Sequence, residues 1–135
     1  MKKALFTGAL IFLTILLCAC GGGRVSGAKT HVVESKMYSQ KEVSDAINVI
    51  KKDFGENWDG CTLNEIYYAG DDYSKDHWEW AERHGGDEVL VLMSSFYVDS
   101  SGGDGSLNPD STYNRWSWIL VREDDGPWRH VDHGY

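Results

Sequence analysis

Between Ser39 and Phe54 the apolar residues Val43, Ala46, Ile47, Ile50 and Phe54 recur at helical spacing and make a single stripe. Ser39 and Glu42 stand three apart, as the N-cap and third helical residue of a capping box do. Tyr38 and Val43 occupy the positions of a hydrophobic staple. Lys51 and Lys52 fall in the expected last turns, where they complement the helix dipole, and Gly55 is the expected stop. A helix that is apolar along one stripe must cover an apolar surface elsewhere in the chain, and the segments that follow offer a sheet.

Cys61 to Ala69 reads as a first strand, rich in Thr, Leu, Ile and Tyr, although Glu65 breaks the alternation on one face. An acidic turn, Gly70-Asp71-Asp72, leads to a short helix expected from Ser74 to His84 and ended by Gly85-Gly86. Ser74 is its expected cap; Trp78 and Ala81 should face the body, and Trp80 should point elsewhere. Asp87 to Val98 contains the unbroken apolar run Val89 to Met93, so this strand should be covered on both faces. Tyr113 to Arg122 places Trp116, Trp118 and Leu120 on one face and Ile119 and Val121 on the other. Glu123 to Pro127 is a hairpin turn with Asp-Gly as its core signal, and Trp128 to Tyr135 returns as the last strand. The expectation is an α+β domain: one long N-terminal helix on a curved antiparallel sheet of about four strands, with a second short helix, of the cystatin-like or nuclear-transport-factor-like kind.

The chain ahead of this domain has a different character. Lys2-Lys3 precede the apolar run Ala4 to Leu17, and Leu17-Cys18-Ala19-Cys20-Gly21 follows. The run is shorter than the ~20 residues that span a bilayer, so it reads as a signal peptide, residues 1–19. A cysteine directly after the cleavage point resembles the lipobox of bacterial lipoproteins. Cys20, with Ala19 before it and Leu17 three back, is the expected lipid acceptor; Cys18 follows the bulky Leu17 and fits less well. A diacylglyceryl group supplies two acyl chains and so a firm anchor. The location this implies is the extracytoplasmic face of the cell membrane. Residues 20–36, with Gly21-Gly22-Gly23 and Ser26-Gly27, read as a lipidated flexible tether, and 37–135 as the single domain.

Charge and cysteine content narrow the function. The net charge of −8 moves to near −10 once Lys2 and Lys3 leave with the signal peptide, and no basic patch offsets it, which argues against a nucleic-acid partner. With Cys18 removed and Cys20 lipidated, Cys61 has no partner for a disulfide, and a buried thiol packed as a small hydrophobe is its expected state.

Several segments together carry a family resemblance: Met37-Tyr38-Ser39 with its capped helix, Gly60-Cys61-Thr62-Leu63, Ser94-Ser95-Phe96, the loop Asp99 to Pro109, Trp116 to Arg122, and the closing Trp128 to Tyr135. The chain resembles a group of extracytoplasmic domains of unknown function from Gram-positive anaerobes. They occur as small lipoproteins and behind membrane metallopeptidases of the β-lactam-sensor type. The likeness covers residues 37–135 and implies location and fold more than chemistry. With no His-Glu-x-x-His, this chain inherits no protease activity from it.

The candidate ligand-binding loop is Asp99 to Thr112, with Asp99, Asp104, Ser106, Asn108 and Asp110 amid glycines. Oxygen donors on a bendable backbone suit calcium, but their spacing fails the EF-hand pattern, so calcium is expected to bind weakly if at all and no cofactor is assigned. The bland alternative is a long connection whose Asp, Asn and Gly hold tight turns. His130, Asp132 and His133 would need a bulge to gather as zinc ligands on one side, and no second cluster completes such a site. Neither a phosphate loop nor a Gly-x-Ser-x-Gly elbow is present. Trp58, Trp78, Trp80, Trp116, Trp118 and Trp128 are expected mainly in the core; any left exposed would form a platform for a ligand. The functional expectation is a membrane-anchored, non-catalytic domain that binds a protein or small molecule outside the cell, with a small hydrolase or lyase as the alternative.

Overall fold

The computed structural model describes residues 21–135; the expected signal peptide, residues 1–19, and the expected lipid acceptor Cys20 lie outside the described residues. Helix α1 runs from Gln40 to Asn57. Its capping box is formed in both directions: Ser39 Oγ accepts from the Glu42 amide, and Glu42 Oε1 accepts from the Ser39 amide. Gly55 does not stop the helix, which continues to Asn57 and is capped at Trp58, and this leaves Lys51 and Lys52 short of the last turn. The turn that follows is made at Gly60, with a φ of 72°.

Four strands, β1 (Cys61–Tyr68), β2 (Glu88–Val98), β3 (Ser111–Arg122) and β4 (Arg129–Gly134), form one antiparallel sheet in chain order. The stripe of α1 packs on one face of it, against Leu63, Ile66, Leu90, Leu92, Phe96, Trp118 and Leu120. On the other face Val89, Val91, Ile119 and Val121 pack with Ala81 in a smaller cluster, so the apolar run of β2 is buried from both sides.

Two short helices cover that second face, α2 (Asp71–Asp76) and α3 (Glu79–Arg83), in place of the single helix expected. The expected acidic turn at Asp71-Asp72 is the first turn of α2. Ser74 is not a cap but a buried residue whose Oγ accepts from the Val91 amide at 3.2 Å. The two tryptophans exchange the roles expected of them: Trp80 packs against the second cluster, and Trp78 is exposed. In the last hairpin the left-handed residues are Asp124 and Asp125, with φ of 43° and 58°; Gly126 closes the turn by donating to Glu123 O at 2.7 Å.

Residues 21–36 are laid along β1 rather than free. Arg24 and Lys29 bridge to Thr62 and Glu65 in parallel register. The Arg24 amide donates to Cys61 O and the Lys29 amide to Asn64 O, both at 2.9 Å, while Leu63 and Ile66 donate back to Arg24 O and Lys29 O. Val25, Ala28 and Val33 pack on the main core, so the folded body starts ahead of residue 37. The apolar contacts supply what a Gly-rich composition alone does not, and the strap covers a sheet edge that would otherwise stand open.

Candidate functional site

Three bulges decide which side chains reach the open end of the sheet. In β1 the register slips between Leu63 and Glu65, so that Cys61 and Leu63, then Ile66 and Tyr68, face the core, while Glu65 is turned away from the fully buried set. Between β2 and β3, Ser94 pairs with Trp116 and Phe96 with Tyr113, and Arg115 takes a φ of 56° at the slip. In β4, Leu120 faces His130 and Ile119 faces Asp132, which leaves Val131 as the extra residue. Val131 packs in the second cluster and Asp132 lines a groove on that same side. His130 and His133 therefore return together to the side of Trp118.

The result is a cleft of about 520 Å³ between the C-terminal end of α1, the β2–β3 loop and β4. Its aromatic wall is continuous. Trp58 lies 5.0 Å from Trp118, 5.1 Å from His133 and 6.1 Å from Trp116, measured between ring centroids, and it stacks on Phe54 at 5.5 Å. Trp118 is fully buried, with its indole N–H donated to Ser94 Oγ at 2.8 Å, and Ser94 in turn donates to Trp116 O at 3.0 Å. Trp58 and Trp116 are half-buried and line the cleft. The Trp116 indole N–H is buried without a partner among the described residues. Trp116 thus belongs partly to the cleft, whereas Trp118 is wholly core.

The polar side is acidic. Asp53 accepts from Asn57 Nδ2 at 2.8 Å and from the Trp58 indole N–H at 3.3 Å, and lies 3.7 Å from His130 Nδ1. His130 Nε2 is 3.1 Å from Asp132 O and 3.3 Å from His133 Nδ1. Burial pushes the His130 imidazole below its ordinary value of 6.5, against the pull of Asp53 and with the His133 ring adding to the depression. A neutral His130 with its proton on Nε2 satisfies Asp132 O and lets His133 Nδ1 accept. Cys61, also in the lining, is buried, and burial pushes its thiol up to about 11, with Asp99 adding to the effect. At that value the thiol stays protonated near neutral pH and packs as a small apolar group. Among the described residues no group of three or more His, Cys, Asp or Glu is placed to hold a metal ion.

The predicted loop residues are divided by the structure. Asp104 and Ser106 line the aromatic cleft, Asp99 lines a separate groove beside Gly22 and Tyr97, and Asn108 and Asp110 line neither. The carboxylates mostly hold turns. Asp99 Oδ1 accepts from the Ser101 amide and hydroxyl, and Asp104 Oδ1 accepts from the Ser106 amide at 2.9 Å and hydroxyl at 2.5 Å. These hydroxyl and amide donors hold both carboxyls below the usual aspartate range. Asp110 accepts from Tyr97 OH at 3.2 Å, and the Asn108 amide donates to Tyr113 OH at 3.1 Å. Asp53 is not among the expected site residues, Trp58 is expected mainly in the core, and His130 and His133 are expected to meet only if a bulge gathers them. The one trace in the sequence is His130-Val131-Asp132-His133, whose cooperation depended on a bulge.

No family model, curated protein or solved structure matches the chain.

Proposed function

We propose that this chain is a membrane-anchored extracytoplasmic lipoprotein whose domain binds a ligand without catalysis, and that the Trp58–Trp116 cleft is the binding site. One observation carries the reading: a cleft of about 520 Å³ with an aromatic wall and a few convergent polar groups, within the size range of small-molecule sites. The anchor is read from Leu17-Cys18-Ala19-Cys20. With Arg24 already bridged to Thr62, only Gly21 to Gly23 separate Cys20 from the folded body, a reach of roughly 10 Å. On this account the domain rides close to the bilayer. A long helix packed on a four-stranded antiparallel meander supports the cystatin-like or nuclear-transport-factor-like form of the α+β architecture.

The enzymatic alternative draws on Asp53, His130 and His133, an acid followed by two imidazoles. Two facts favour binding over it. The Asp53–His130 approach of 3.7 Å exceeds a hydrogen bond, and the thiol and hydroxyl that line the cleft are engaged, Cys61 by burial and Ser106 by Asp104.

The test is a nuclear magnetic resonance screen of residues 21–135 against a mixed set of small organic probes, followed at the tryptophan indole N–H signals. Hits should converge on Trp58 and Trp116. Hits that converge on the groove by Tyr73 and Arg115, or nowhere, would refute the assignment.

A further inference from the structure

The geometry points to a small organic ammonium ion as the ligand of this cleft, an inference that rests on reading the cleft as the binding site. Three carboxylates belong to its lining: Asp53 on α1, Asp59 in the turn after α1, and Asp104 in the β2–β3 loop. No lysine or arginine lines it, and among the described residues none pairs with any of the three. His130 and His133 are the bases in the lining, and burial lowers the His130 value below its ordinary 6.5. The cleft therefore presents uncompensated negative charge on an aromatic wall.

Those two features together select a cation. A tryptophan face attracts an ammonium group electrostatically, and more so when both are partly desolvated. Asp53 accepts the Trp58 indole N–H at 3.3 Å, which shifts electron density toward that ring and strengthens the attraction. Asp59 and Asp104 are exposed at the mouth. Each uses Oδ1 within the protein, for the Gly22 amide and for Ser106 respectively. Among the described residues no other residue donates to Oδ2 of either, so each carboxylate keeps one oxygen for a ligand. An anionic ligand would meet three like charges, and a neutral one would leave them without a counter-charge.

Three probes of one shape separate the possibilities: choline, 3,3-dimethylbutan-1-ol as its uncharged counterpart, and 3,3-dimethylbutanoate as an anion. Each is titrated into residues 21–135 while the Trp58 and Trp116 indole signals are followed. Choline should bind at least tenfold more tightly than the alcohol, the carboxylate should be weakest, and added salt should weaken choline alone. Asp59→Asn and Asp104→Asn retain the Oδ1 acceptors, so the turns persist. Each should lower choline affinity severalfold and leave the alcohol unchanged. Equal binding of choline and the alcohol, or Asn variants that bind choline as wild type does, would overturn cation recognition while the cleft stands as a binding site. If none of the three moves the indole signals but the mixed probe set does, the cation inference alone fails. If both are silent, the binding-site reading fails with it.

Discussion

His130 Nε2 lies 3.3 Å from His133 Nδ1, although residues three apart on a regular strand point to opposite faces. The bulge at Val131 removes the conflict and places both rings against Trp118. A consequence follows for pH. The groups facing His130 are Asp53 from α1 and Asp132 and His133 from its own strand. Burial lowers the folded-state value of His130 below the 6.5 of the unfolded chain, so over that interval the unfolded chain binds more protons. His130 then contributes full stability above about pH 6.5, and the contribution is lost as pH falls through the lower folded value. Thermal melts between pH 8 and 5 should show this loss in wild type and a flatter profile in His130→Gln. An identical slope in both would remove His130 as its source.

The strap yields a second prediction. The amides of Gly23, Arg24 and Lys29 donate to Phe54 O, Cys61 O and Asn64 O. They should exchange with solvent much more slowly than a free Gly/Ser linker would. Deletion of residues 21–36 should lower the melting temperature, since Val25, Ala28 and Val33 leave the core and the β1 edge opens. Fast exchange at all three amides and an unchanged melt would return this segment to the role of a loose tether.

Arg122 ties the N-terminus of α1 to the sheet. Its buried guanidinium pairs with Glu42 and Glu88 and lies 4.3 Å from the Trp128 ring centroid. Arg122→Met leaves the two carboxylates together without a cation. Both are part exposed and can rehydrate, so the cost should fall below that of a fully buried broken pair, at about 2 kcal/mol. For a domain of this size that is a fall of roughly 10 °C, readable by calorimetry.

Much of this body was legible before the fold. The α1 stripe, the capping box, the two-sided burial of β2 and the division of β3 into Trp118 with Leu120 against Ile119 with Val121 all follow from period and composition. The break that Glu65 makes in the alternation of β1 was the visible sign of a bulge. The cleft was less legible because it depends on the Val131 bulge and on α1 running past Gly55 to bring Trp58 against His133. Both are tertiary outcomes: glycine lowers helix propensity but is overridden by packing, and a one-residue slip has no local signature in His-Val-Asp-His. The strap is hard to read for a related reason, since its glycines conceal three apolar contacts spaced without period.

The proposed lipid anchor is tested by substitution. Cys20→Ala should release the protein from the membrane fraction or leave the precursor uncleaved, whereas Cys18→Ala should change neither. Incorporation of labelled fatty acid into Cys20→Ala would show that another residue is the acceptor.

The most direct test of the binding cleft is to block it. Ser106 is exposed at the cleft lining, and the hydrogen bond that its backbone amide donates to Asp104 Oδ1 does not depend on the side chain. Ser106→Phe places a ring in the mouth without touching the core, so its melt should stay within about 0.5 kcal/mol of wild type. Titrated with the same mixed set of small organic probes, wild type should show saturable shifts at Trp58 and Trp116, and Ser106→Phe should show none. Equal shifts in the two proteins would contradict the assignment of this cleft as the site where the ligand binds.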